Sequence, residues 1–163
     1  MLCYGNLALE RFQLVRSRLQ TRPDPANAKE YQLHDQVGFI LRQVSQRHLA
    51  IFVNQIEDFT PMQFAALAKL CERRSLSQNE LGRQTAMDGA TIKGVVDRLK
   101  NRGYVNTESD PQDQRRIILS PSSEGDRIFD LSVAAARQIT EDTLAPLSDK
   151  EQTQFMGLLS RLR

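Results

Sequence analysis

Residues Ser77–Ser120 read SQNELGRQTAMDGATIKGVVDRLKNRGYVNTESDPQDQRRIILS. Ser77 followed by Glu80 has the spacing of a capping box, which opens a helix. That helix is short, because Gly82 weakens it and Thr85 lies near its end. MDGAT, with Asp88 as N-cap, is the turn into a second helix, Ala90 to Asn101. This second helix buries Ile92, Val95, Val96 and Leu99 and stops at Gly103, which supplies the left-handed residue a helix end favours. Two short strands follow, Tyr104 to Thr107 and Arg116 to Leu119, joined by a long polar tip as a β-hairpin.

Helical periodicity extends on both sides. From Tyr31, an apolar stripe of Leu33, Val37, Ile40, Leu41, Val44, His48, Ile51, Phe52 and Ile56 steps by three and four. DFTPMQF resets the chain, with Thr60 as N-cap and Pro61 at the first helical position. Phe64, Leu67, Ala68, Leu70 and Cys71 form the buried face of that helix. Beyond Ser122, Ile128, Leu131, Ala135 and Ile139 form another stripe, which Pro146 ends. Ser148 and Glu151 box the last helix, with Phe155, Leu158, Leu159 and Leu162 on one face. Upstream, Leu7 to Leu19 fits a short helix and TRPDPANAKE a linker. The expected class is mainly α with a small β-wing.

Composition excludes more than it selects. A net charge of +2 over 163 residues is too mild to diagnose a nucleic-acid binder, so only local charge is informative. Two distant cysteines, Cys3 and Cys71, form neither a disulfide framework nor a zinc signature, and no metal or cofactor site is expected. No apolar run reaches the ~18 residues of a membrane span, and the N-terminus lacks a signal-peptide core. A cytoplasmic protein with no membrane partner is expected. GxSxG, HExxH, P-loop and dinucleotide fingerprints are all missing, and two separated histidines make no acid–base pair. No catalytic residue is assigned and the chain is not read as an enzyme.

Two short helices joined by a tight turn lay the second helix in the DNA major groove. The outward face of that helix carries Gly89, Ala90, Thr91, Lys93, Gly94, Asp97 and Arg98. The small residues allow close approach. Thr91 and Lys93 donate to bases or phosphates, and Arg98 reaches a phosphate. Asp97 is placed to pair with Lys93 or to orient Arg98. Between Ala90 and Gly103, Lys93, Arg98, Lys100 and Arg102 stand against one acid, Asp97. A solvated amphipathic helix has the same charge pattern. The hairpin, with Asp113, Gln114, Arg115 and Arg116, shifts the balance, because a wing arginine fits the negative potential of a narrow minor groove. Asp113 is spaced to hold Arg115, and Pro111 stiffens the tip.

VVDRLKNRGYV and DPQDQRR resemble the helix end and wing of the MarR family of bacterial transcriptional regulators, and the resemblance covers about Leu33 to Arg163. Gly94 departs from the larger residue many relatives carry, and LSPSSEG replaces the usual Leu-Thr pair. The resemblance implies a winged helix-turn-helix, residues 59–121, and a helical dimerisation region, residues 31–58 and 122–163, behind an N-terminal extension of residues 1–30. It implies a homodimer joined through the Leu33, Ile128 and Phe155 stripes, facing a double-stranded, palindromic operator as a repressor.

It also implies a small aromatic carboxylate effector, held in a crevice between the dimer helices and the DNA-binding lobe. His34, Phe39, Arg42, His48, Phe59, Gln63 and Phe64 are its candidate residues. Arg42 offers bidentate pairing and the phenylalanines a flat wall. His34 and His48 equally fit satisfied core positions. HDQVGFILRQVSQRHLAIF and LAPLSDKEQ are similar to relatives that govern nicotinic acid degradation and respond to a hydroxylated nicotinate. A redox-sensing regulator acting through Cys3 or Cys71, and a protein-binding winged helix without DNA, are the alternatives.

Overall fold

The computed structural model describes residues 31–162, apart from the side chains of Gln114 and Arg115. The helix expected over Leu7 to Leu19, the linker after it and Cys3 lie outside the described residues. The chain divides into two units, residues 1–43 and 44–163.

In the first unit, Leu33–Asp35 is a single 3-10 turn. Gln36 follows in extended backbone, at φ −84° and ψ 124°, and the helix α1 (Val37–Gln55) begins only after it. The continuous helix expected from Tyr31 is therefore interrupted. Val37, Ile40 and Leu41 are exposed on α1.

In the second unit, α1 continues and buries Phe52. The helix α2 (Pro61–Arg73) starts as expected, with a complete capping box. Thr60 Oγ1 accepts the Gln63 N–H, and Gln63 Oε1 accepts the Thr60 N–H. Arg74 closes α2 at φ 65°, a conformation unfavourable for a residue with a side chain. Its guanidinium donates to both oxygens of Asp126 at 2.7 and 2.8 Å, which ties the end of α2 to the next long helix.

The strand β1 (Leu76–Ser77) leads into α3 (Gln78–Gln84), and α4 (Gly89–Asn101) follows the turn. β2 (Val105–Asp110) and β3 (Asp113–Pro121) form the wing, α5 (Ser123–Leu144) returns, and α6 (Asp149–Ser160) ends the fold. The sheet order is β1-β3-β2, antiparallel throughout, with Leu76 opposite Leu119 and Thr107 opposite Leu119 on the other side. β1 was not expected, since two residues are too few for any periodicity to register.

The hairpin tip is also corrected. The strands run on until only Pro111 and Gln112 separate them, with Asp110 opposite Asp113 and an irregularity at Ser109/Asp110. Asp110 Oδ1 accepts the Gln112 N–H at 2.9 Å and closes the turn. The distal wing is polar on both faces, so it lacks the alternation that marks a half-buried strand.

The core joins α1, α2, α3, α4, the root of the wing and α5. Leu67, Leu70, Leu81, Ile92, Leu99 and Leu119 are its most completely buried side chains. Ile139 belongs to it, and Ile128 and Ala135 pack against it. The α5 stripe expected to serve a partner subunit is therefore largely spent on the chain's own core, whereas Leu131 stays exposed. Two glycines permit close packing. A Cβ on Gly82 would lie 3.1 Å from the Met87 carbonyl oxygen and 3.2 Å from Ile92. A Cβ on Gly125 would lie 2.1 Å from the Tyr104 carbonyl oxygen.

Candidate nucleic-acid interface

The helix α4 is positioned from both ends. At its start Asp88 accepts the Thr91 N–H at 2.7 Å, and these bonds hold the Asp88 carboxyl below its ordinary value. At its end Gly103 turns the chain at φ 74°, and Ser122 locks the exit by donating to the Gly103 and Tyr104 carbonyls. Between the ends, Ile92, Val95, Val96 and Leu99 face the core, as their spacing predicts. Gly89, Ala90, Lys93, Asp97 and Arg98 are exposed, and Thr91 and Gly94 are half-buried.

Charges on this face are arranged locally. Lys93 Nζ lies 2.9 Å from Asp97 Oδ2, so Asp97 pairs with Lys93. Arg98 makes a long approach to the Gly94 carbonyl, 3.5 Å away. Arg102, counted with the basic residues of the helix, belongs elsewhere. Its guanidinium lies 5.4 Å from the Phe59 ring centre and 4.8 Å from that of Tyr104. It also donates to the Asp58 carbonyl and carboxylate and to the Tyr104 hydroxyl. Stacking and bidentate donation make it a brace beneath α4.

In the wing, Arg116 Nε lies 3.6 Å from Asp110 Oδ2, a partner that sequence spacing did not suggest. The side chains of Gln114 and Arg115 lie outside the described residues, so the expected pairing of Asp113 with Arg115 does too. Asp113 is exposed and lines a cleft between the wing and the start of α3.

The seven effector candidates occupy different settings. His34 and Phe39 meet edge-to-face at 5.6 Å in the first unit, and Arg42 is exposed there. In the second unit, His48 Nδ1 lies 2.9 Å from Thr143 Oγ1, which is also 2.7 Å from the Ile139 carbonyl oxygen. Neighbouring Arg47 donates to the Asp142 and Thr143 carbonyls at the end of α5. Phe59 and Gln63 are buried, Gln63 within its capping box. Phe64 sits edge-on to Phe52 and Phe59 and 5.9 Å from Phe129.

A sequence model described as the MarR family matches residues 57–116, from the end of α1 to Arg116 in the wing. The HTH-type transcriptional repressor NicR of Pseudomonas putida is 38% identical over 140 residues, which span 85% of this chain and 89% of that protein. The chain belongs to the MarR family. Solved structures agree with the MarR assignment along most of the described chain. A probable transcriptional regulator from Pseudomonas aeruginosa is 51% identical, with a TM-score of 0.79 over 81% of this chain and all of that one. Bordetella bronchiseptica BpsR, whose DNA binding is regulated by 6-hydroxynicotinic acid, is 34% identical, with a TM-score of 0.78 over 81% of this chain and 96% of its own.

Three residues that shape this MarR-type lobe escaped sequence reasoning. Gly125 brings α5 onto Tyr104 at the root of the wing, and Arg74 ties α2 to α5. Arg83 lines the cleft beside the wing. Only the glycine had a local signal, because a Gly just inside a helix start hints at close approach.

Proposed function

We propose that this MarR-family chain is a homodimeric repressor of a palindromic duplex operator, released by a small aromatic acid such as a hydroxylated nicotinate. The observation that carries the DNA reading is α4, whose N-terminal face is small, polar and exposed, while its far side is seated in the core. Gly89, Ala90, Thr91, Lys93, Gly94, Asp97 and Arg98 form the major-groove surface in this reading. Asp113, Gln114, Arg115 and Arg116 act from the wing, within a lobe of residues 59–121. Residues 31–58 and 122–163 supply the dimer. That assignment is supported by exposed Val44, Leu49 and Val53 on α1 and Met156, Leu158 and Leu159 on α6, an apolar surface that water disfavours. Two lobes then address half-sites roughly one helical turn apart, in the cytoplasm.

The effector class rests on likeness to BpsR and on Arg42 as the cation for a carboxylate, with His34, Phe39, His48, Phe59, Gln63 and Phe64 as its companions. Operator selection from random duplexes tests the DNA half. Enrichment of one palindrome is expected, and no enrichment even in dilute salt overturns it. Repeating the selection with aromatic carboxylates, hydroxylated nicotinates included, tests the effector half. Arg42→Ala is expected to blunt release while sparing operator binding, and an ordinary ligand titration removes Arg42 from the site.

A redox mechanism through Cys71 is not favoured. Burial, with a hydrogen bond from the thiol to Asp126, pushes its pKa up to about 12, so little reactive thiolate exists near neutral pH.

A further inference from the structure

The cleft between α3 and β3 lies outside the major-groove face of α4. It has a volume of about 540 Å³ and is lined by Gln78, Asn79 and Arg83 from one side and Asp113 and Arg116 from the other. Two guanidiniums and two side-chain amides outweigh the single carboxylate, Asp113, in a donor-rich lining suited to an oxyanion. Arg83 and Arg116 are 71% and 56% exposed, which suits a ligand as large and open as a nucleic-acid backbone.

Each arginine is nevertheless held by an acid of the same chain. Arg83 donates to Glu80 Oε2, and Glu80 Oε1 accepts from Gln84 at 2.8 Å. Arg116 lies 3.6 Å from Asp110, which is only 14% exposed. Glu80 sits on the α3 side of the cleft, bonded to Arg83 and Gln84 of its own helix. Gln84, Arg83 and, through space, Arg116 hold its carboxyl below the usual range, so it is ionised at neutral pH.

We propose that this cleft is a clamp for a duplex phosphate, with Glu80 and Asp110 acting as built-in competitors that set its specificity. The inference rests on the DNA-binding reading above and adds Arg83 to it. Long-range attraction to any duplex is damped, because each cation already has an acidic neighbour. Close contact wins only where α4 is seated and a phosphate is driven into the cleft. The acids therefore weaken non-operator binding more than operator binding, and they supply discrimination without touching a base.

Glu80→Gln and Asp110→Asn test this. Both keep an amide oxygen for Gln84 and for the Gln112 N–H, and melting temperature checks the fold. Full-length variants are titrated with the selected operator and with a scrambled duplex, over a salt series. Each substitution is expected to tighten the scrambled duplex roughly two- to fivefold, the range of an exposed ion pair. The operator is expected to gain less. The salt slope is expected to steepen by about one per arginine released. Adding Arg83→Ala to Glu80→Gln is expected to erase the gain.

An unchanged scrambled-duplex affinity in both variants overturns this inference alone. So does a gain that survives Arg83→Ala, since it would then not come from the freed guanidinium. A wild-type chain that binds neither duplex overturns the DNA reading with it.

Discussion

Arg102 and Lys93 lie on one helix and its cap, and their charges are alike, yet they do different work. Lys93 is exposed and shares its charge with Asp97. Arg102 packs against Phe59 and Tyr104 and is bonded to Asp58. Arg102→Ala is therefore expected to cost about 1–2 kcal/mol of stability. Urea unfolding measures that loss, and the salt slope of DNA binding is expected to stay put. Lys93→Ala and Thr91→Ala are expected to leave the unfolding midpoint alone and to change which operators are preferred. A uniform loss across unrelated operators argues against base reading. Sequence could not separate these residues, because aromatic stacking depends on Phe59, which is distant along the chain.

At the scale of elements, caps and junctions decide where α4 and the wing point. Gly125 has the Tyr104 carbonyl where a Cβ would stand, 2.1 Å away. Gly125→Ala is expected to push α5 off the root of the wing, with a fall in melting temperature and weaker operator binding together. The cap of α4 sets a pH dependence. The folded Asp88 carboxyl sits below its ordinary 3.8, because it accepts the Thr91 N–H. Its stabilisation is thus complete above the unfolded value and is lost as pH falls through the lower folded one. Asp88→Ala is expected to lower the melting temperature at neutral pH and to flatten its decline in acid. A parallel decline in both proteins removes Asp88 from the acid limb.

The same scale shows what local sequence carries. Thr60, Pro61, Asp88 and Gly103 mark helix ends in the residues themselves, and the structure uses all four as marked. Ser77 caps α3 as marked, but the reciprocal half of its box fails. Glu80 turns to Gln84 and Arg83 instead. A carboxylate chooses among donors that lie close together, and spacing names only one of them. The strand β1 and the length of the wing were hidden for a related reason. Their hydrogen bonds are made to β3, and partners across a sheet leave no periodic trace in a two-residue strand.

For the whole molecule, the unresolved balance is apolar surface. Leu41, Val44, Val53, Met156 and Leu158 remain exposed on α1 and α6. A homodimer is the proposed cover. Leu158→Asp combined with Leu41→Asp is expected to preserve the helical signal, dissociate the dimer in sedimentation, and weaken operator binding by uncoupling two half-sites. A wild-type chain that sediments as one subunit overturns the dimer. Family membership is settled at this scale, since likeness to NicR spans most of both chains.

Sequence by itself determined the order of helices, most of their caps, the inward face of α4 and the presence of a wing. All of these follow from side-chain period and from bonds made within a few residues. Tertiary structure alone decided that Arg102 braces the lobe, that Asp110 faces Arg116, that α5 spends most of its stripe on its own core, and that Arg83 and Arg116 line one cleft. Those outcomes depend on which distant groups come within a few ångströms, and charge, stacking and burial act at that range whatever the separation along the chain.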